Sequence, residues 1–273
     1  MTGAGGQVGI ALTQHLPSAR FSTHRDLDVT DRSSVRRAVA DVDVVIHLAA
    51  MTDVDRCEDE PEAAMEVNAQ GTDNVCAAAM ATGARVVYLS TDYVFDGAKG
   101  SEYVEEDPPN PLNVYGRSKL AGEDVVKATD DYQIVRTSWV IGKGRNFVRT
   151  ILRIGREEGT VSVVDDQRGR PTFATDLAAG LAALVRSRFS GTVHLAGAGD
   201  SCTWADLADA ALQAAGIQAL VERVDTETYA ARASRRIAPR PRNSALALAK
   251  AESLGIRPPP WRESLSDYLE GAA

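Results

Sequence analysis

Apolar positions along the chain fall into two alternating patterns. Short apolar runs at Val42 to Leu48, Arg85 to Leu89 and Ile134 to Arg136 have the length and content of buried strands. Between them lie helical periodicities. One carries Ile10, Leu12 and Leu16, and another opens after Thr30 or Asp31. A third runs from Pro61 to Ala81 and stops at Gly83, and a fourth covers about Val114 to Ala128. Strands alternating with helices predict a doubly wound, parallel α/β sheet of the Rossmann kind. From Asn146 the rhythm loosens. Helices are expected at Phe147 to Glu158, Phe173 to Val185, Thr203 to Ala215, Ala245 to Leu254 and Arg262 to Leu269. Short strands are expected at Val161 to Val164, Val193 to Leu195 and Leu220 to Val224. The organisation read from this is a first domain over 1–145 and a smaller α/β substrate-binding region over 146–273. Segments around 173–200 return to the first domain, leaving a cleft between the two.

The N-terminus carries Gly3-x-x-Gly6-x-x-Gly9 leading into the first helical pattern. Glycines so spaced permit a tight turn, a close pyrophosphate and close helix packing, with the helix N-terminus facing the phosphates. Such a turn follows a strand, yet only Met1 precedes Thr2, so the first strand is expected to be missing. Ala19 to Ser22 is a short candidate strand, and Arg25 follows where an adenosine ribose would be read. An acidic residue there would bind a 2′-hydroxyl; Arg25 favours a 2′-phosphate, hence NADPH, with NADH as the alternative. Asp28 is placed near the adenine.

Composition narrows the partners. With 30 basic and 38 acidic residues the net charge is −8, which argues against a general nucleic-acid or anionic-membrane surface. No apolar run approaches the roughly 18 residues of a membrane span, and no basic-then-apolar leader is visible. Cys57, Cys76 and Cys202 lack C-x-x-C spacing, so a reducing cytoplasm is the expected location. Asp53, Asp55, Glu58, Asp59 and Glu60 read as a solvated acidic loop rather than a metal site, and no metal is expected. Arg235 to Asn243 holds four arginines and is either an anion clamp or a solvated loop.

The chemistry concentrates between Ser90 and Lys119. Val86 to Leu89 would present Ser90 and Thr91 at a strand's carboxyl end, where open α/β sheets bind ligands. Tyr115 and Lys119 are four apart, so on a helix they share one face. A strand-end hydroxyl facing a Tyr–Lys pair can handle a proton on a carbonyl or an alcohol. The intervening Asp96 to Asn113 reads as a surface loop, and Trp139 falls at another strand's carboxyl end.

Together the motifs resemble the dTDP-4-dehydrorhamnose reductase family within the extended short-chain dehydrogenase/reductases. The resemblance is carried by Thr2-Gly3-x-x-Gly6-Gln7-Val8-Gly9, Ala49-Ala50-x-Thr52-x-Val54-Asp55 and Ser90-Thr91-Asp92-Tyr93-Val94-Phe95-Asp96-Gly97. It continues in Tyr115-Gly116-x-x-Lys119, Arg136-Thr137-Ser138-Trp139-Val140, Asp166-Gln167-x-Gly169-x-Pro171-Thr172 and Arg240-Pro241-x-Asn243-Ser244. It implies a cofactor site of Gly3, Gly6, Gln7, Val8, Arg25, Asp28, Val29, Ala49 and Ala50, completed by Tyr115 and Lys119. It further implies that Tyr115 donates a proton to the forming alkoxide and Lys119 lowers the tyrosine's pKa. Thr91 would bond the carbonyl oxygen, and Thr52, Tyr93, Trp139, Gln167 and Arg240 would contact a nucleotide-sugar substrate. Related dehydratases carry Thr-Asp-Glu where this chain has Thr91-Asp92-Tyr93, so dehydration is disfavoured and Asp92 is expected to bond only the loop. The alternatives are another nucleotide-sugar reductase or epimerase, or a non-catalytic regulatory subunit resembling that of methionine adenosyltransferase. A homodimer is the one protein partner left open.

Overall fold

The computed structural model describes residues 1–271. Its main sheet is parallel and runs in the order β1 (Val44–His47), β2 (Arg85–Thr91), β3 (Tyr132–Thr137) and the strand Gly191–His194. Successive side chains point to opposite faces, and both faces are buried. Val45, Val86, Tyr88 and Ile134 pack with Val35, Val39, Val75 and Val126. Ile46, Val87, Val135 and Val193 pack on the other side with Val8, Leu12, Leu177 and Leu181. Helices α1 (Gln7–His15) and Ala174–Arg186 cover this second face, whereas α2 (Arg32–Val39), Gly71–Thr82 and Val114–Lys127 cover the first. This is the doubly wound, Rossmann-like fold that the alternation predicts.

The first strand is not wholly missing. Met1 to Ala4 run where it belongs, and Thr2 forms parallel bridges to Ser22 on one side and His47 on the other. The Thr2 N–H donates to Ile46 O at 3.0 Å, Ala4 N–H to Ser22 O at 3.0 Å and Ser22 N–H to Met1 O at 2.9 Å. The expected strand at Ala19 to Ser22 likewise shrinks to this one bridge. The chain therefore leaves Thr2 toward one edge and returns to β1 on the other side. That reversal opens a crevice at the carboxyl ends of the strands.

A second core gathers Trp139, Ile151, Val161, Val163, Leu207 and Trp261. Here Thr160–Val164 pairs in parallel with Leu220–Val224, beneath helices Phe147–Glu158 and Trp204–Ala214. The expected acidic loop is instead a helix, Val54–Asp59, capped by Asp53 accepting from the Arg56 N–H at 3.1 Å. The expected helix at Ala245 to Leu254 contracts to Ala249–Ser253. Ala245 and Ala247 exchange backbone hydrogen bonds with Tyr103 at 2.8 Å each, which holds the segment extended.

One buried ion pair binds the layers beneath the crevice. Glu123 accepts from Ser90 Oγ at 2.6 Å and from Arg136 Nε and Nη2 at 2.9 and 2.7 Å. Burial opposes its ionisation, but Arg136 and Ser90 hold the carboxyl below the usual range.

Candidate functional site

Thr91 ends β2, and its hydroxyl accepts the Tyr93 N–H at 3.2 Å, starting the turn Asp92–Val94. The helix opposite begins where Asn113 Oδ1 accepts from the Gly116 N–H at 2.7 Å. Glu58 Oε1 accepts the Val114 N–H at 2.7 Å, so a carboxylate also faces the positive end of the helix. Tyr115 thus sits in the first turn. A Cβ on Gly116 would lie 2.1 Å from Tyr93 O, so only glycine lets this helix approach the Thr91–Tyr93 turn so closely. The Tyr93 and Tyr115 rings meet edge to face, 6.1 Å apart.

Lys119 lies one turn further along, only 2% exposed, with its ammonium 3.9 Å from the centre of the Tyr88 ring. Burial moves its pKa down to about 7, with Glu123 opposing. Burial raises the pKa of Tyr115, with the Thr91 hydroxyl opposing. Burial thus outweighs the lowering expected from Lys119, and the net shift of Tyr115 is upward. The lysine rests on Tyr88 and is only partly charged near neutrality.

A π-helical turn, Glu66–Gln70, interrupts the run from Pro61 to Thr82 and aims Asn68 inward. Asn68 is fully buried. Its Oδ1 accepts the Met51 N–H at 2.7 Å, while its Nδ2 donates to Met51 O at 3.0 Å and Ser118 Oγ at 2.9 Å. The loop after β1 and the Tyr–Lys helix are thereby held together.

Three cavities meet in the crevice. The central one, of about 430 Å³, is lined by Thr52, Thr91, Tyr93, Tyr115, Lys119 and Trp139, and also by Gln7 and Val8. It shares Gly3, Gly6 and Ala50 with a second, of about 650 Å³, that holds Arg25, Asp28, Val29 and Ala49. It shares Phe147 and Trp204 with a third, of about 550 Å³, that holds Gln167 and Arg240. Every residue anticipated from the sequence lines one of the three.

The first two cavities fit a dinucleotide. Gly3 has φ +69°, and a Cβ there would lie 2.6 Å from Ala49 N, so glycine is needed for the turn to pack against the backbone after β1. Gly6 caps α1 without a side chain, leaving the helix N-terminus open to phosphate. Asp26, beside Arg25, turns its carboxylate back onto Thr23 N and Oγ1 at 2.8 and 2.7 Å. Asp28 is similarly engaged with Thr30 at 2.9 and 2.8 Å. Among the described residues Arg25 is thus the exposed charge in that cavity with no such internal bond to satisfy it. Gln7 also braces the crevice, because its Oε1 accepts the Gly142 N–H at 2.6 Å and ties the glycine turn to the segment after Trp139.

Trp139 takes φ 46°, rare for a large side chain, and stacks on Trp204 at 3.6 Å between ring centres. Phe147 leans on Trp204 at 4.6 Å. Asp55 is not solvated: it accepts from Arg240 Nη2 at 2.8 Å, pairs with Arg235 at 2.9 Å and accepts the Ala238 N–H at 3.0 Å. Glu58 pairs with Arg236 at 3.4 Å. The acidic and basic stretches, read separately in the sequence, neutralise each other. Gln167 donates to Thr226 Oγ1 at 2.9 Å. Among the described residues no three metal-ligating side chains converge, and no helix is long and apolar enough to cross a membrane.

A family model described as the RmlD substrate binding domain matches residues 1–273. The chain belongs to this family. It is 40% identical to dTDP-4-dehydrorhamnose reductase of Mycolicibacterium smegmatis, over 98% of this chain and 84% of that one. It is 37% identical to the spore coat polysaccharide biosynthesis protein SpsK of Bacillus subtilis, over 99% and 96%. Its fold superposes on the crystal structure of dTDP-4-dehydrorhamnose reductase from Bacillus anthracis in complex with NADP. The TM-score is 0.91 with 37% identity, covering 100% of this chain and 98% of that one.

Two members of this RmlD-family site are not marked in the sequence. Asn68 acts through Met51 and Ser118, distant in the chain, and no local spacing marks it. Trp204 reads as an ordinary amphipathic-helix residue. Its one local signal is the cap before it, Thr203.

Proposed function

We propose that the chain binds NADPH and reduces the C4 ketone of dTDP-4-dehydro-L-rhamnose to the alcohol of dTDP-L-rhamnose, in the cytoplasm. The observation that carries this is the joining of Thr91, Tyr115 and Lys119 in one cavity to a glycine cradle on one side and an arginine-bearing cavity on the other. In this reading residues 1–145, with the segment around 173–200, hold the cofactor, and the rest of 146–273 meets the sugar nucleotide.

When bound, the reduced nicotinamide supplies hydride. The chain's own residues do the rest. Thr91 bonds the ketone oxygen as charge develops on it, and Tyr115 gives that oxygen its phenolic proton. Lys119 orients the nicotinamide ribose and adds positive charge beside Tyr115. Tyr93 and the edge of Trp139 bound the hexose. Arg240, held at a fixed angle by Asp55, and Gln167 face the nucleotide. Tyr93 stands where related dehydratases carry a carboxylate, which disfavours elimination.

The test is NADPH oxidation by purified protein with dTDP-4-dehydro-L-rhamnose, beside dTDP carrying other 4-keto-hexoses. No oxidation with any of them refutes the reading; preference for another hexose corrects the sugar. The same assay checks the cofactor assignment. Arg25→Ala is expected to raise the KM for NADPH about ten- to hundredfold and to leave that for NADH within about twofold. Equal effects on both would remove Arg25 from the 2′-phosphate.

A further inference from the structure

Asp92 is buried at the rim of the central cavity, 2% exposed, and its side-chain hydrogen-bond partners are two hydroxyls rather than a cation. Thr91 Oγ1 donates to Asp92 Oδ1 at 3.0 Å, and Ser244 Oγ donates to Asp92 Oδ2. A threonine hydroxyl has one proton and two lone pairs. One lone pair of Thr91 receives the Tyr93 N–H, and its proton goes to Asp92. With its proton committed there, Thr91 has none to offer a substrate oxygen.

We propose that Asp92 is a positioning residue that sets the direction of the Thr91 hydroxyl. As a carboxylic acid, Asp92 donates from Oδ1 to Thr91 Oγ1, still accepts Ser244 at Oδ2, and frees the Thr91 proton for the ketone oxygen. As a carboxylate, it takes that proton back and silences the donor. No proton is consumed by Asp92, since Tyr115 supplies the one the alkoxide keeps. The inference rests on the reduction proposed above.

The surroundings favour the acid form. Burial pushes the Asp92 pKa up to about 7, while the Ser244 and Thr91 hydroxyls oppose the rise. Facing it are Ser244 from its loop, Thr91 from β2, and the Tyr93 and Tyr115 side chains. The next charges are Lys119 in the same cavity and the Arg240–Asp55 pair beside Tyr93. An acid is protonated below its pKa, so the Thr91 donor is available below about 7 and lost as pH rises through it.

The test is the pH profile of kcat. Asp92→Asn fixes the donating arrangement, because the amide can give a hydrogen to Thr91 and accept Ser244. Wild type, in which Asp92 and Lys119 both lose their protons near 7, is expected to lose kcat more steeply with rising pH than Asp92→Asn, in which Lys119 alone of the two titrates there. Ser244→Ala removes a hydrogen bond that favours the carboxylate, so it should move the descending limb to higher pH. A limb unmoved in both variants belongs to Lys119 or another group and overturns the proposal. Infrared difference spectra between wild type and Asp92→Asn need no turnover. A carboxylic-acid carbonyl band lost through pH 7 supports the proposal, and a carboxylate throughout overturns it. This measurement separates its failure from failure of the reductase reading.

Discussion

Tyr115→Phe is expected to slow ketone reduction by about 10²- to 10⁴-fold while leaving NADPH affinity within about twofold. The substitution deletes one oxygen and keeps the ring that meets Tyr93 edge to face. Binding therefore persists and only proton donation is lost. Burial raises the pKa of Tyr115, so the phenol keeps its proton throughout the neutral range and is always ready to give it. That same shift makes the phenol a reluctant acid. The developing alkoxide must be basic enough to take the proton, and the positive charge of Lys119 helps the phenolate that remains. Single-turnover measurements of NADPH oxidation, beside a direct binding titration, separate the two effects. Wild-type rates in the variant would remove Tyr115 from its role.

Arg136→Met should destabilise the fold by about 3–5 kcal/mol, because it leaves the Glu123 charge buried with its best partner gone. The Arg136 and Glu123 side chains are 3% and 0% exposed. Lys127 lies 3.6 Å from Glu123 but from a partly exposed position, and it cannot supply the paired bonds of the guanidinium. Glu123→Gln combined with Arg136→Met removes the stranded charge and should recover much of the loss. Urea unfolding of the single and double variants gives the comparison. A double variant no more stable than Arg136→Met alone would mean that the buried charge is not what the arginine compensates.

How much of this was legible in the sequence depended on distance along the chain. Tyr115 and Lys119 share a helix face by spacing alone, and Thr91 follows directly from a strand's end. These three could be placed without any tertiary information. The Gly3–Gly9 turn was legible in the same way, although Thr2 does as a single bridging residue what a strand was expected to do. Asp55 and Arg240 lie 185 positions apart, so the sequence presents an acidic stretch and a basic loop, not one neutral clamp. Asn68 depends on a π turn that no apolar periodicity announces. The Trp139–Trp204 stack required distant segments of the second core to meet, and the shortening of the expected Ala245 to Leu254 helix to Ala249–Ser253 required Tyr103 to compete for the preceding backbone. Local patterns thus marked the groups proposed to react. The groups that hold them in place became visible only in the fold.

The central claim is hydride delivery to a sugar ketone, and a single turnover with NADPH deuterated at the transferring C4 position tests it most directly. Mass and NMR analysis of the sugar nucleotide is predicted to show one deuterium on C4 of a dTDP-linked 6-deoxyhexose, with one NADP formed per product. Sugar nucleotide that is epimerised or dehydrated without net NADPH consumption, or that carries no deuterium at C4, would contradict it.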